Sequence, residues 1–248
     1  MYYGMVCTRH IRPDRQTPED QHTGMGVFVK QGNFYSRSVK PALDRVLGTI
    51  ALIAAALPML LISAVIFLDN PGPVIFRQKR IGLKKDGKLT YFEIYKFRTM
   101  RTDAPHDVPT HLFADSERYL TRVGRVLRKT SLDELPQLWN IAVKGNLSIV
   151  GPRPALWNQE DLAEEREKYG ANDVMPGLTG WAQINGRDEL EIAEKARLDG
   201  VYARQLLKSS FAGLRMDLVC LFRSVGATLR SDGYVEGGTG AKAGEEAR

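Results

Sequence analysis

Cysteine is almost missing from this sequence: Cys7 and Cys220 are its only two. Too far apart for a CxxC pair and too few for a disulfide framework, they suit a reducing, cytoplasm-facing location. Histidine is nearly as scarce. His10, His22, His106 and His111 show no HExxH spacing, and with two cysteines there is no basis for a structural zinc site. Glycine is plentiful but never arranged as GxxxxGK[ST] or GxGxxG. A nucleotide would have to be held by side chains rather than by a glycine-rich cradle. Acid is in deficit, leaving a formal charge of +6. That balance suits anionic partners, whether phosphates, nucleic acid or an anionic membrane face, without choosing among them.

Charge is also absent locally. The 23 residues from Val46 to Leu68 carry none, and Arg45 and Asp69 close the run. As a helix this run would be about 35 Å long, enough to cross a hydrocarbon core of about 30 Å. It begins too far from the N-terminus and is too long to be a signal peptide. Pro58 sits near its centre, where it removes a helix hydrogen bond and crowds the preceding turn. Basic residues flank both ends: Lys30, Arg37, Lys40 and Arg45 before it, and Arg77, Lys79, Arg80, Lys84, Lys85 and Lys88 after it. Basic flanks favour the cytoplasmic side, so two of them predict a helix–break–helix that enters and leaves by one face. A proline-kinked single crossing also satisfies the composition.

Residues 1–36 are polar and unpatterned and read as a flexible arm, with Met25 as an alternative start; 233–248 read as a disordered tail. Residues 37–69 form the membrane segment and 70–232 a catalytic domain. Within it, VIFRQKRIG and LTYFEIYKFRTM flank Asp86-Gly87 and predict a β-hairpin. Helical spacing is expected over 115–129, from about Asp133, and over 158–169, 189–207 and 211–229; LSIV at 147–150 is a short strand, and PGLTGWAQINGR is irregular. The last helix either closes the core or lies on a membrane surface. The class is α+β, mainly helical.

Asp133-Glu134 follows Arg128-Lys129-Thr130-Ser131. Ser131 to Glu134 is an SxxE capping box, which explains two acids at a helix start without any chemistry. The same position also suits phosphoryl transfer, because a helix N-terminus keeps a carboxylate ionised and attracts phosphate. Arg153 stands between Pro152 and Pro154, so its guanidinium is presented by a stiff backbone, either to bind phosphate bidentately or simply to be solvated. Lys96 and Arg98 are two apart in a predicted strand, hence on one face, as a second anion site or a charged sheet edge.

Together these segments resemble the bacterial sugar transferases, the small monotopic phosphoglycosyl transferases. The matching pieces run in order: KPALDR (40–45), GPVIFRQKRIG (72–82), KFRTM (96–100), RKTSLDELPQLWN (128–140), GNLSIVGPRP (145–154), PGLTGWAQINGR (176–187) and EKARLDGVY (194–202). The resemblance implies a re-entrant membrane helix and a compact catalytic domain on the cytoplasmic face of the bacterial inner membrane, and it favours re-entry at Pro58. Many members have serine before that proline, where Leu57 stands here. It implies a UDP-sugar donor, a polyprenol phosphate acceptor and contact with membrane lipids, with downstream glycosyltransferases as further partners and no nucleic acid. Asp133 would be the nucleophile and a Mg²⁺ ligand, and Glu134 a general base or the group that orients Asp133. Lys96, Arg98 and Arg153 would bind phosphate, and Arg128, Asp199 and Tyr202 would border the site. The chain resembles the minimal form of the family, without the N-terminal transmembrane helices of larger members. The rival readings are a single-pass transferase, a membrane-tethered nucleic-acid or regulatory module suggested by the basic charge, and an inactive scaffold.

Overall fold

The computed structural model describes residues 32–104, 116–186 and 190–229. Most of the expected arm and all of the expected tail lie outside them. The apolar run lies within one helix, α1 (Lys40–Asp69), and reaches almost to its end; a π-type turn at Tyr35–Val39 precedes the helix. One face of α1 is seated along its whole length. Lys40 reaches Asp217 at 2.8 Å, and Asp44 accepts from Ser148 Oγ at 2.6 Å and from the Ile149 amide at 3.2 Å. Gly48 lies against Ile141; Ala51, Leu52 and Ala55 pack on Leu138, Ile141 and Leu147. Met59, Ile62 and Ile66 then meet Phe97 and Leu127. Steps of three and four residues keep these positions on one side of a helix. The opposite face, including Leu43, Ile50, Ile53, Leu57, Leu61 and Leu68, is exposed. Among the described residues α1 is the one helix long and apolar enough to cross a membrane.

The expected helix–break–helix is corrected in one respect: the helix runs through Pro58 without interruption. Ala55 on one side of the proline and Met59 on the other are both packed against the domain, so tertiary contacts hold the helix where one backbone hydrogen bond is lost.

The hairpin forms as expected, with β1 (Ile75–Lys85) antiparallel to β2 (Lys88–Phe97). Asp86 (φ 50°) and Gly87 (φ 72°) both take left-handed backbone, which is what a two-residue turn matched to strand twist requires. The predicted helix over 115–129 is a 3₁₀ turn, Ser116–Tyr119, followed by α2 (Arg122–Thr130). Past it come a 3₁₀ turn (Leu132–Glu134), α3 (Gln137–Trp139) and a π-type turn (Asn140–Lys144). β3 (Ser148–Val150) pairs in parallel with β4 (Gly177–Thr179), and α4 (Glu160–Lys168) lies between them in sequence. The stretch expected to be irregular thus carries β4 and α5 (Trp181–Ile184).

α6 (Ile192–Lys208) and α7 (Ser210–Leu229) are the last elements among the described residues. Tyr202, Ala203 and Leu206 of α6 meet Met216 and Cys220 of α7, together with Tyr35, Val150 and Val174, in the main core. α7 therefore closes the core, while Phe211 and Phe222 on its other side stay exposed. Asp217 is buried at the centre. It accepts from Tyr35 Oη at 2.7 Å and Lys40 Nζ at 2.8 Å, and Tyr202 Oη lies 2.7 Å away. A buried carboxylate needs such partners, and these bind the start of α1 to α6 and α7.

Candidate active site

The acid pair is placed by the way α2 ends. Ser131 takes left-handed backbone (φ 58°), and its amide donates to the carbonyls of Leu127 and Arg128. It is the C-cap of α2, and its side chain caps nothing in the following turn. The capping-box reading of SxxE is thereby overturned: the chain reverses at Ser131, and Asp133 and Glu134 turn inward on a 3₁₀ turn instead of capping a helix.

What they meet is cationic. Asp133 is buried, with Oδ2 3.8 Å from Lys96 Nζ. Glu134 Oε1 accepts from Lys96 Nζ at 3.0 Å and from Arg153 Nη2 at 2.8 Å. Burial pushes the Glu134 carboxyl up, but Arg153 and Lys96 outweigh it and hold the group well below the ordinary carboxylate range. Lys96, nearly at the end of β2, thus faces both acids, and Arg153 arrives from the loop after β3. Four of the expected site residues converge.

The loop that brings Arg153 is fastened carbonyl by carbonyl. Tyr202 Oη lies 2.9 Å from the Val150 oxygen. The Gly177 amide donates to Pro152 at 2.9 Å. Arg166 Nη2 donates to the Arg153 oxygen at 2.8 Å, and Arg80 Nη1 to the Pro154 oxygen at 3.0 Å. A side chain on Gly177 would place its first carbon 2.1 Å from the Gly151 nitrogen, so glycine lets the two backbones touch. Asp199 and Tyr202, expected at the border of the site, are sealed behind this loop at 1% and 0% exposure. Asp199 Oδ2 accepts from Arg166 Nε at 2.9 Å and Nη2 at 2.6 Å.

Arg98 goes elsewhere. β2 ends at Phe97, so strand alternation no longer governs it, and its guanidinium donates to the Asn70 carbonyl at the end of α1. Arg128 Nε donates to Thr99 Oγ1 at 3.0 Å. Sequence reasoning missed three buried polar residues. Gln137 stands one turn beyond the acids, and its Nε2 has no partner among the described residues. Asn140 ties the turn to β2, accepting from the Tyr95 amide and donating to the Glu93 carbonyl. Arg166 was hidden in the charged stretch EDLAEEREK, yet it shares a helical face with the buried Leu162 and Ala163. That spacing was the signal.

Two adjacent carboxylates fit a Mg²⁺ ion that keeps waters and takes its remaining oxygens from a phosphate substrate. They do not make a protein-only cage: no three His, Cys, Asp or Glu side chains cluster among the described residues.

With that geometry established, comparison with known proteins is decisive. The family model for bacterial sugar transferases matches residues 35–231, which include the whole constellation. The chain belongs to this family. It is 44% identical over 163 residues to the UDP-glucose:undecaprenyl-phosphate glucose-1-phosphate transferase of Escherichia coli, covering 64% of this chain and 34% of that protein. It is 42% identical over 164 residues to the uncharacterized sugar transferase EpsL of Bacillus subtilis, covering 66% of this chain and 77% of the relative. The UDP-galactose-lipid carrier transferase of Erwinia amylovora is 33% identical over 218 residues, covering 80% of this chain and 42% of the relative. The chain thus spans about a third of its E. coli family member.

Proposed function

We propose that the chain transfers a sugar-1-phosphate from a UDP-sugar to a polyprenol phosphate at the cytoplasmic face of the bacterial inner membrane, through a covalent intermediate on Asp133. The observation that carries the reading is the pair of buried Asp133 and half-buried Glu134, braced by Lys96 and Arg153, inside the segment that matches the family. The relatives' names supply the substrate classes.

An ionised Asp133 oxygen attacks the β-phosphorus of the donor. The bond from that phosphorus to the bridging oxygen breaks, and UMP leaves with the electron pair. The sugar-phosphate remains on Asp133 as an acyl phosphate. An oxygen of the polyprenol phosphate then attacks the same phosphorus and returns the aspartate. A phosphomonoester is mostly doubly ionised at neutral pH, so this attack needs no general base. Glu134, ionised between two cations, therefore orients Lys96 and Arg153 and leaves proton transfer aside. Those two cations face the charge that develops on the transferring phosphoryl group. Asp133 and Glu134 would hold Mg²⁺ together with the diphosphate, and the ion would neutralise phosphate charge. The polyprenyl diphosphate sugar is then an acceptor for downstream glycosyltransferases.

The exposed apolar face of α1 supports a membrane seat, and the fixing of both helix ends to one domain supports a monotopic one. The chemistry is tested with donor labelled in the sugar and no acceptor. Wild-type enzyme should release UMP and retain label; Asp133→Asn should do neither, because an amide forms no acyl phosphate. Equal labelling of that variant, or UMP release that strictly requires acceptor, refutes the covalent route.

A further inference from the structure

Arg166 has no place in the reaction as written, yet it is 4% exposed, and arginines are almost never buried without a partner. Asp199 grips it through two nitrogens, at 2.9 and 2.6 Å. A buried ion pair is weak support for stability by itself, since well-packed apolar side chains often do as well. What the pair supplies is direction. With its plane fixed by Asp199, Arg166 Nη2 also donates to the carbonyl oxygen of Arg153 at 2.8 Å.

That carbonyl matters because little else in the loop can turn. The rings of Pro152 and Pro154 fix their own φ angles, and a residue before proline is confined to extended backbone. Within those limits, the orientation of the Arg153 carbonyl and the direction of its Cα–Cβ bond vary together. Holding the first sets the second. At the far end of the same side chain, Nη2 meets Glu134 Oε1 at 2.8 Å.

We infer that Arg166, clamped by Asp199, is a positioning residue that holds the Arg153 carbonyl so that the Arg153 guanidinium meets Glu134 and the donor diphosphate. The inference rests on the transfer reaction proposed above. It also gives Asp199 a role: it acts on the site through two arginines without touching substrate.

A double-mutant cycle tests it, with kcat/KM for UMP release and the thermal midpoint measured for wild type, Arg166→Lys, Arg153→Lys and the double variant. An ammonium can pair with Asp199 but cannot also hold the carbonyl with a rigid fork. Each single substitution should lower kcat/KM about tenfold, and Arg166→Lys should cost less than about twofold once Arg153 is already Lys. A tenfold loss in both backgrounds would mean a general structural role and overturns the inference, as would wild-type kinetics in Arg166→Lys. If Arg166→Lys does not fold, Asp199→Asn carries the same cycle, and failure of both to fold also overturns it. Wild-type enzyme that releases no UMP from any UDP-sugar sinks the transfer reading and this inference with it; additivity sinks the inference alone.

Discussion

Glu134 illustrates how much a single residue's role depends on its neighbours. Accepting from Lys96 and Arg153 at once, it is held ionised, so its native pKa lies below its unfolded one. The native state then binds fewer protons than the unfolded state. The resulting stabilisation is complete above the ordinary carboxylate range and is lost as pH falls towards the native value. Wild type should melt higher than Glu134→Gln at neutral pH, and the gap should narrow as the pH drops from about 5 to about 3. A gap that stays constant over that range contradicts the ion-paired state. On the proposed mechanism, the same substitution should impair turnover less than Asp133→Asn, since it would weaken positioning and spare the proposed nucleophile. Asp133, Glu134, Lys96 and Arg153 were legible in the sequence as motif residues, but SxxE reads equally well as a cap. Only the left-handed backbone at Ser131 decides between the two, and a serine gives little warning of it. The direction of the Arg98 side chain was not legible, because the strand ends one residue before it and its guanidinium donates to the Asn70 carbonyl.

At the scale of elements, the hairpin was legible because Asp86-Gly87 is a local signal whose backbone demand is met on the spot. α4 was legible as a helix but not as a support of the site, since one arginine among acids looks like a solvated face until the burial of Leu162 and Ala163 is known. α1 shows the same division. Its length and apolarity could be read from the sequence; the stripe that seats it could not, because Lys40, Asp44 and Gly48 are meaningful only against Asp217, Ser148 and Ile141. Gly48 gives the test. A side chain there would start 2.7 Å from Ile141 Cγ2, in the π-type turn that follows α3, which in turn follows the 3₁₀ turn carrying Asp133. Gly48→Leu makes α1 more apolar, so membrane partition should be unchanged or stronger. Overpacking of this kind costs about 1–3 kcal/mol, and shifting Ile141 should lower kcat/KM about tenfold or more. Normal kinetics in a membrane-bound Gly48→Leu variant would show that the seat of α1 and the acid pair are uncoupled.

For the molecule as a whole, the question is which side of the bilayer each end of α1 occupies. The helix has 30 residues, roughly 45 Å, which exceeds a hydrocarbon core of about 30 Å. Length alone therefore permits a crossing. Its attachments oppose one. The first residue, Lys40, is bonded to Asp217; near the other end, Ile66 packs with Leu127 and Asp69 accepts from the Val123 amide at 3.2 Å. A crossing would have to break one of these sets, exposing a buried Asp217 without its lysine or stripping Leu127 of its cover. Basic residues flank both ends, and such flanks favour the cytoplasm. Single cysteines at two exposed positions, Ser38→Cys and Lys88→Cys, in a chain with Cys7 and Cys220 replaced by Ala, should both be shielded from an impermeant thiol reagent in intact spheroplasts and both react after lysis. Labelling of Ser38→Cys alone from outside would establish a crossing and require the attachment of Lys40 to be undone in the membrane. Labelling of both from outside would keep the ends together but reverse the orientation, and would contradict the cytoplasmic placement proposed for the site.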